Sequence, residues 1–372
     1  MRKAGYELYF IGAYVKSFYL TNPFIESIPV KFSMQARAGL PFWWRNLVRK
    51  ILRLVQRIKP DLIHAHNVIA GRLAVEIHQR MGIPFVYDDH EYWSRRTVSR
   101  NPPVLIRSVR VNDEVIECEN LSTLYVAYNN LRHLIGKLIR GSTYEKWERE
   151  VLSLASTVLT VSEEIAGEHR LVNPNVKVLP NYPFKDEIVD VELKERLVER
   201  RLEVVYVGRI LGFHPSYRDM RGMIETLSSL KHCSLVVVGD SKLRSTRNII
   251  SKGVKPHREL ISTISRSHLG LLPWKPHSFH HYCNPNKVYE YAAAGLHIVI
   301  PKTLTPVRRV LEGFYDTFED SEYRDLKALL SYYSDNLDEV IDRGLSLLEY
   351  ARRKLVWDMY EHELIEMYDK VI

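Results

Sequence analysis

The sequence contains little cysteine and no long hydrophobic run. Three of its 372 residues are cysteine, and Cys118, Cys233 and Cys283 are too widely spaced for a disulfide framework or a zinc motif. No stretch of about eighteen apolar residues occurs, so a membrane-spanning helix is not expected. The opening segment MRKAGYELYF carries Glu7 where an export signal needs an apolar core. We therefore expect a cytoplasmic protein.

Several binding motifs are also absent. No G-x-G-x-x-G follows a predicted strand, which disfavours a dinucleotide-dependent oxidoreductase. No zinc finger, RNA-binding signature or long Lys/Arg run is present, so nucleic acid is not an expected partner. The net charge is nevertheless +8, with a sequence pI near 9.2. That excess favours anionic partners such as phosphates, nucleotides or acidic lipid headgroups, although it is equally compatible with general solubility.

What the chain does contain is a regular alternation of strand and helix signals. Apolar, β-branched runs predict strands at 7–12, 61–66, 84–89, 157–162, 176–181, 202–208, 234–240, 268–274 and 297–301. Helical patterns between them lie at 44–59, 69–81, 219–230, 257–266 and 286–294. Repeated strand–helix–strand order predicts parallel sheets with helical crossovers.

The charged segment 182–201 lacks a strand signal and separates two such series. We predict two doubly wound, Rossmann-like α/β domains that face a cleft. The first is 1–182, completed by a C-terminal helix at 351–372, and the second is 183–350. The segment 98–142 is an insertion in the first domain. Ligands of such sheets bind beyond the carboxyl ends of the strands, so the cleft is the expected site.

The stretch CNPNKVYEYAAAG, residues 283–295, predicts a short helix with both ends marked. The Asn284–Pro pair suits an N-cap and a first helical position, and Gly295 suits a left-handed exit. The start of a helix offers unpaired N–H groups to a pyrophosphate, and Glu290 can accept hydrogen bonds from ribose hydroxyls. From spacing alone, a surface glutamate paired with Lys287 is the stronger interpretation.

Segments in order along the chain resemble the retaining glycosyltransferases of family four, which have the two-domain GT-B fold. The resemblance rests on KPDLIHAHN (59–67), IPFVYDDHEYW (83–93), ASTVLTVSEEIA (155–166), VLPN (178–181), VVYVGRI (204–210), HRELISTISRSHLGLLPW (257–274), NPNKVYEYAAAGLHIVIP (284–301) and LVWDMYEHELIEMY (355–368). It covers nearly the whole chain apart from 98–142.

The resemblance implies a nucleotide-diphospho-sugar site in the second domain. Glu290 matches the second glutamate of the family's Glu, seven residues, Glu motif, which binds the donor ribose. Tyr282 stands at the first position and cannot act as a charged acceptor for the donor-sugar hydroxyls. Arg209 matches the pyrophosphate arginine, and Arg221 falls where a lysine usually stands. The donor-binding residues predicted in this way are Gly208, Tyr282, Asn284, Asn286, Lys287 and Glu290.

Histidines contribute a second set of predictions. In the family a histidine at the position of His90 lies near the reacting sugar, so the predicted catalytic residues are His90, Arg209 and Arg221. The alternative for His90 is a loop histidine paired with a neighbouring carboxylate. His64 and His66 share a strand face but have no cysteine or carboxylate at ligand spacing, so we interpret them as structural. The PHSFHHY histidines are expected near the donor sugar rather than on a metal, and they are His277, His280 and His281.

The start of the sequence departs from the family pattern. Members usually open with a strand and a glycine-containing loop before a phrase like AGYE, whereas here the first residues are MRKAGYELYF. We expect the first domain to lack that strand and loop, or the true start to lie upstream.

A basic amphipathic helix is the second unusual feature. Arg45, Arg49, Arg53 and Arg57 repeat every four residues beside an apolar stripe that is expected to pack on the sheet. The basic face and Trp43 predict contact of residues 43–59 with an anionic membrane surface, with plain solvation as the alternative.

These observations predict a metal-independent, hexosyltransferase-type glycosyltransferase without a cofactor. It would move a sugar from a nucleotide-diphospho-sugar to a glycan or lipid-linked acceptor with retention of configuration. Tyr282 and the shortened start support an alternative, a catalytically weak GT-B scaffold that binds nucleotide or a partner glycosyltransferase. An epimerase on the same fold is disfavoured because 284–295 matches the transferase version.

Overall fold

The computed structural model describes residues 4–13, 24–98, 104–111, 114–117, 142–188 and 201–372. Its strands are β1 (Tyr9–Ala13), β2 (Glu26–Val30), β3 (Ile63–His66), β4 (Phe85–Asp89), β5 (Val104–Ile106), β6 (Ser108–Val111), β7 (Glu114–Glu117), β8 (Thr157–Thr160), β9 (Val176–Val178), β10 (Leu202–Val207), β11 (Gly212–His214), β12 (Cys233–Val238), β13 (Ile249–Ser251), β14 (Leu269–Leu271), β15 (His297–Pro301) and β16 (Asp316–Phe318).

Its helices are α1 (Met34–Arg37), α2 (Pro41–Ile58), α3 (Asn67–Met81), α4 (Trp93–Val98), α5 (142–154), α6 (Glu163–Arg170), α7 (Arg221–Ser228), α8 (His257–Ile264), α9 (Lys287–Ala293), α10 (Thr305–Leu311), α11 (Arg324–Asp335), α12 (Leu337–Lys354) and α13 (Glu361–Val371). Each strand and helix predicted between residues 7 and 301 is present with its ends shifted by a few residues. The predicted C-terminal helix 351–372 is instead interrupted, because α12 ends at Lys354 and α13 begins at Glu361. None of these helices is both long and apolar enough to cross a bilayer.

Two parallel sheets confirm the predicted fold class. The first has the strand order β3-β4-β8-β9, and the second has the order β13-β12-β10-β14-β15-β16. β1 and β2 form a separate parallel pair. The central strands of both sheets are buried and mostly apolar, as their hydrophobic runs predicted, although β4 ends in the buried Asp88 and Asp89. The predicted domain boundary at 182/183 stays a prediction, and residues 189–200 of the predicted link lie outside the described residues.

The end of the chain returns to the first domain. Met367 and Tyr368 of α13 are nearly buried and pack with Val86 and Leu159 of the first sheet. Near the link, the N–H of Trp357 donates to the carbonyl of residue 183 over 2.9 Å. The C-terminal helix therefore contributes to the core of the first domain.

The insertion in the first domain packs on the second domain. β5 pairs antiparallel with β11, and β6 and β7 form a hairpin against α7. Ile106, Val109, Val111 and Ile116 are between 0% and 5% exposed in the core of the second domain. Residues 104–111 and 114–117 thus form a strap that leads from the first domain onto the second, and no sequence pattern predicted this packing.

A charge on the buried face of the strap tests this packing. Val109 is 2% exposed, whereas Val115 in the same hairpin is 53% exposed. We expect Val109→Asp to lower the free energy of unfolding by about 3 kcal/mol or more, because it buries an unpaired carboxylate. Val115→Asp should change it by less than about 0.5 kcal/mol. Urea unfolding measures both, and equal effects would show that the strap is not part of the core.

Candidate functional site

The two domains meet along helix α6. The side-chain N–H of Asn284 donates to the carbonyl of Val161 over 2.6 Å, and Arg309 pairs with Glu164 at 2.9 Å. Both contacts join the second domain to α6 or to the strand end before it. The carboxyl ends of the two sheets therefore face one cleft in a defined arrangement.

A cavity of about 320 Å³ lies in this cleft. Residues from both domains line it, and they include His90, Arg96, Asn181, Tyr217, Arg218, Trp274, Tyr282, Asn284 and Asn286. The six-stranded sheet reverses its winding direction at β10, which has β12 on one side and β14 on the other. Ligands of doubly wound sheets bind outside the strand ends at such a reversal. The cavity thus lies where the topology places a ligand site.

Gly208 follows β10 at this reversal. Its φ is +140°, and a Cβ at this position would lie 2.9 Å from the Tyr206 hydroxyl oxygen and 3.2 Å from Lys287 Nζ. Glycine is therefore required for both the backbone conformation and the space. The bare backbone leaves the strand end open to close approach by a ligand.

Two cations lie beside this glycine, among aromatic rings. Lys287 Nζ is 4.9 Å from the centre of the Tyr206 ring and 5.6 Å from that of Trp274, and the Arg218 guanidinium is 4.3 Å from the Trp274 centre. Burial and, to a lesser extent, the charge of Arg218 lower the pKa of Lys287 to about 7, while Glu290 opposes the shift. A lysine pKa lowered in this way indicates that neither water nor neighbouring negative groups fully balance the positive charge of the ammonium group.

Arg218 was not among the site residues predicted from the sequence. It lies in the loop HPSYRDMRG, which also contains the predicted Arg221. Arg221 instead forms a two-pronged pair with Asp219, with N–O distances of 2.9 and 2.7 Å, and its side chain is half exposed. Arg209 is exposed just after β10. Of the two loop arginines, Arg218 is the one that lines the cavity.

Glu290 is not the surface glutamate that spacing favoured. Its side chain is 16% exposed, and burial raises its pKa, an effect that His257 and Lys287 oppose. His257 Nδ1 lies 3.9 Å from a Glu290 oxygen, and His257 Nε2 lies 3.0 Å from Glu187. The carboxylate therefore stands one helical turn beyond Lys287 in an enclosed position.

The start of helix α9 differs from the prediction. The helix begins at Lys287, with Asn286 as its N-cap residue, so the predicted capping role of Asn284 is wrong. The Asn284 side chain contacts Val161 and the Tyr289 hydroxyl instead, because a partner in the other domain is within reach. Gly295 does take the predicted left-handed conformation, with a φ of +64°.

Tyr282 reaches across the cleft. Its hydroxyl donates to Glu168 of α6 over 3.3 Å, and its ring packs edge-on against Tyr92 with the ring centres 5.0 Å apart. Tyr282, at the position where the resembling family has a glutamate, therefore makes an interdomain contact.

The histidines of 277–281 lie beside the cavity wall. His280 is fully buried with its Nδ1 2.8 Å from the Thr303 hydroxyl, and burial lowers its pKa to about 3. His277 accepts from the N–H of Phe279 over 3.1 Å. His281 packs against the Tyr282 ring. The predicted proximity of these histidines to a sugar stays a prediction.

His90 lies at the carboxyl end of β4 and lines the cavity. Its Nε2 is 2.9 Å from an oxygen of Asp88, and its Nδ1 is 3.3 Å from the Asn181 side-chain oxygen. His64 and His66 contact the same carboxylate. Burial alone would raise the pKa of Asp88, but the hydrogen bonds from the three histidines hold it well below its usual range. His90 therefore lies at the cleft, as predicted. It is also paired with a carboxylate, as the alternative interpretation expected.

Comparisons with known proteins agree with this architecture. Residues 23–182 match the family described as the glycosyl transferase 4-like domain. No match was found among curated proteins.

Solved structures match over most of the chain. Sucrose-phosphate synthase from Thermosynechococcus elongatus is 12% identical, with a TM-score of 0.68 over 92% of this chain and 82% of that one. Anabaena HepE in complex with UDP-glucose is 12% identical, with a TM-score of 0.65 over 93% and 86% of the two chains. A glycosyltransferase from Rickettsia africae is 14% identical, with a TM-score of 0.54 over 93% and 85%. The likeness establishes the GT-B fold.

The burial of Lys287 predicts how stability depends on pH. In the unfolded chain this lysine titrates near 10.5, whereas in the folded chain it titrates near 7. Between these values the unfolded state binds more protons, so this group makes stability rise with pH, by up to about 1.4 kcal/mol per pH unit. We expect Lys287→Met to be more stable than the wild type at about pH 7, with the difference shrinking toward about pH 10.

Urea unfolding at both pH values measures this effect. Lys302→Met is the matched control, because the side chain of Lys302 is 51% exposed and its removal should give no pH-dependent difference. A Lys287→Met difference that stays constant with pH would contradict the buried charge.

Proposed function

We propose that the chain transfers a sugar from a nucleotide-diphospho-sugar, because it has the GT-B fold and residues 23–182 match the model of the glycosyl transferase 4-like domain. The observation that carries the proposal is the buried cation Lys287 beside Gly208, with Arg218 at the same Trp274 ring. Burial lowers the pKa of Lys287, and this lysine lies at the open end of β10, where doubly wound sheets bind ligands. HepE has been crystallised with UDP-glucose and with UDP, which supports a donor of this class.

The chemistry requires charge stabilisation at the leaving group. When the glycosidic bond breaks, negative charge develops on the departing diphosphate, and positioned cations stabilise it. We assign this role to Arg209, Arg218 and Lys287, with Arg221 joining only if its pair with Asp219 opens. Since these cations belong to the chain, the diphosphate needs no metal. Gly208 allows the phosphates to approach the backbone.

The remaining predicted residues have positioning roles. Glu290 would accept hydrogen bonds from the ribose hydroxyls, and Asn284 and Asn286, which line the cavity, would contact the donor. His90 would orient the acceptor or the donor sugar from the opposite wall. Transfer with retention of configuration to a glycan or lipid-linked acceptor follows from the family resemblance. Holding donor and acceptor in line supplies a large part of the rate enhancement.

One observation favours the second candidate function, a nucleotide-binding scaffold with weak catalysis. The Tyr282 hydroxyl already has a partner in Glu168, so position 282 offers no carboxylate to the donor sugar. Donor hydrolysis assayed with and without a lipid acceptor separates the two functions. Turnover in neither condition, together with intact nucleotide binding, would favour the scaffold.

Calorimetry with UDP, GDP and ADP tests the donor site. We expect one of the three to bind the wild type, and Glu290→Gln and Arg218→Gln each to weaken that binding by about tenfold or more, because each removes a charge-assisted hydrogen bond.

Arg221→Gln is the matched control from the same loop. Its guanidinium is held by Asp219, so we expect less than about a threefold loss, below 1 kcal/mol. If none of the nucleotides binds the wild type, the donor assignment fails. If Arg221→Gln is the more damaging variant, the phosphate roles of the two arginines are reversed.

The basic helix α2 supports a membrane-surface acceptor. Its apolar stripe is buried as predicted, with Trp44, Leu47, Val48, Ile51 and Val55 in the core. Phe42 and Trp43 are 66% and 43% exposed beside the exposed Arg45, Arg49 and Arg53. Arg57 pairs with Glu26 at 2.8 Å. We propose that this face rests on anionic lipid headgroups.

Liposome flotation tests the proposed membrane contact. We expect binding to vesicles with anionic lipid but not to neutral vesicles, and the double variant Arg49→Gln/Arg53→Gln should reduce it by about thirtyfold, at roughly 1 kcal/mol for each of the two charges. Arg244→Gln/Arg247→Gln removes the same charge from exposed positions of the second domain and should have little effect. Equal losses in both double variants would assign the binding to net charge.

A further inference from the structure

Three histidine rings surround one carboxylate oxygen at the ends of β3 and β4. Asp88 Oδ2 lies 3.0 Å from His64 Nε2, 3.0 Å from His66 Nδ1 and 2.9 Å from His90 Nε2. The sheet creates this cluster, since His64 and His66 share one face of β3 and the register places His66 opposite Asp88 on β4. The carboxylate that the sequence analysis did not find at ligand spacing is therefore supplied by the neighbouring strand.

Hydrogen bonding alone accounts poorly for this convergence. A carboxylate oxygen has about two lone pairs, yet three ring nitrogens contact the same atom. A cation between the rings would instead accept one lone pair each from His64 Nε2, His66 Nδ1 and Asp88 Oδ2. These atoms all lie within 4.8 Å of one another. Ligand atoms around a tetrahedral zinc ion are about 3.3 Å apart, so small movements would suffice.

The surroundings resemble the outer partners of a metal site. The second nitrogen of His64 contacts the Tyr368 hydroxyl from α13, and that of His90 lies 3.3 Å from the Asn181 oxygen. Such partners fix the orientation of ligand rings. The Asp88 side chain is 12% exposed and that of His66 is 58% exposed, so the cluster is closed behind and open toward solvent.

We propose that His64, His66 and Asp88 bind a divalent transition-metal ion of the zinc class. Two imidazoles and one carboxylate suit zinc, cobalt or nickel, whereas magnesium and calcium prefer oxygen ligands only. The open position would admit an oxygen of a molecule entering from the first-domain side, which the ion would polarise. The three ligands lie on β3 and β4 of the first domain, whereas Lys287 and Arg218 belong to the second domain, so metal binding and nucleotide binding are tested by different variants and different measurements.

Titration with Co²⁺ tests the site without any assay of activity. The full-length protein is treated with a chelator, and the visible absorption of bound Co²⁺ is followed. We expect one equivalent to bind and Zn²⁺ to displace it. His66→Ala and Asp88→Asn should weaken binding by at least about tenfold. His362→Ala is the control, because His362 is 80% exposed on α13 and should bind as the wild type does.

Two results would overturn the proposal. One is the absence of a visible spectrum even at a large excess of Co²⁺. The other is a spectrum that His66→Ala leaves unchanged, or that carries the near-ultraviolet charge-transfer band of a cysteine thiolate. His66 is largely exposed, so His66→Ala keeps the test valid if Asp88→Asn fails to fold, and circular dichroism checks both variants.

Discussion

The arrangement of the two domains is the constraint on which the cleft cavity depends. Each domain supplies only one wall of the cavity, so the wall residues form a site only if the sheets face each other. Among the described residues, the domains are joined by the contacts of α6 and Val161 with the second domain, by the strap, and by the return of α13 to the first domain. The strap is notable because its apolar residues are part of the opposite domain's core, which makes separation of the domains costly.

Within that frame, the buried charge of Lys287 connects stability to function. Keeping an ammonium group among the Tyr206 and Trp274 rings next to Arg218 opposes folding, and the lowered pKa measures this cost. Because sites that bind anions must hold cations before the ligand arrives, such strain is expected where a diphosphate is to be bound. The rings limit the cost through cation–π attraction and exclude water. An uncharged residue would fold more readily and bind less.

The parts of the structure that depend on local sequence were predictable. Apolar runs and helical patterns located β10, β12, β15 and the crossover helices, because secondary structure of this kind follows neighbouring residues. The strap was not predictable, since β5 pairs with β11 about a hundred residues away and only tertiary packing selects that partner. Tertiary packing also explains Asn284. Its side chain donates a hydrogen bond to a carbonyl of the other domain instead of capping helix α9.

The candidate site was predictable to a similar degree. The order of the segments that resemble the glycosyltransferase family located Gly208, Lys287 and Glu290. The fold brings these residues to one strand end. The choice between Arg218 and Arg221 was beyond the sequence, because both lie in one loop and a pair with Asp219 decides which of them is free to face the cavity. The Asp88 cluster depends on the register between β3 and β4, which the sequence does not specify.

Tyr282 stands where the resembling family has a glutamate that would contact the donor sugar, and here it makes a contact between the domains instead. A glutamate at this position would place a charge near the donor sugar, but also close to Glu168 on α6, where two carboxylates would repel. A tyrosine donates a hydrogen bond to that carboxylate and packs on Tyr92, so it stabilises the closed arrangement of the cleft. Under the proposed function, other groups that line the cavity, such as Glu91 and Asn286, would then have to recognise the sugar hydroxyls.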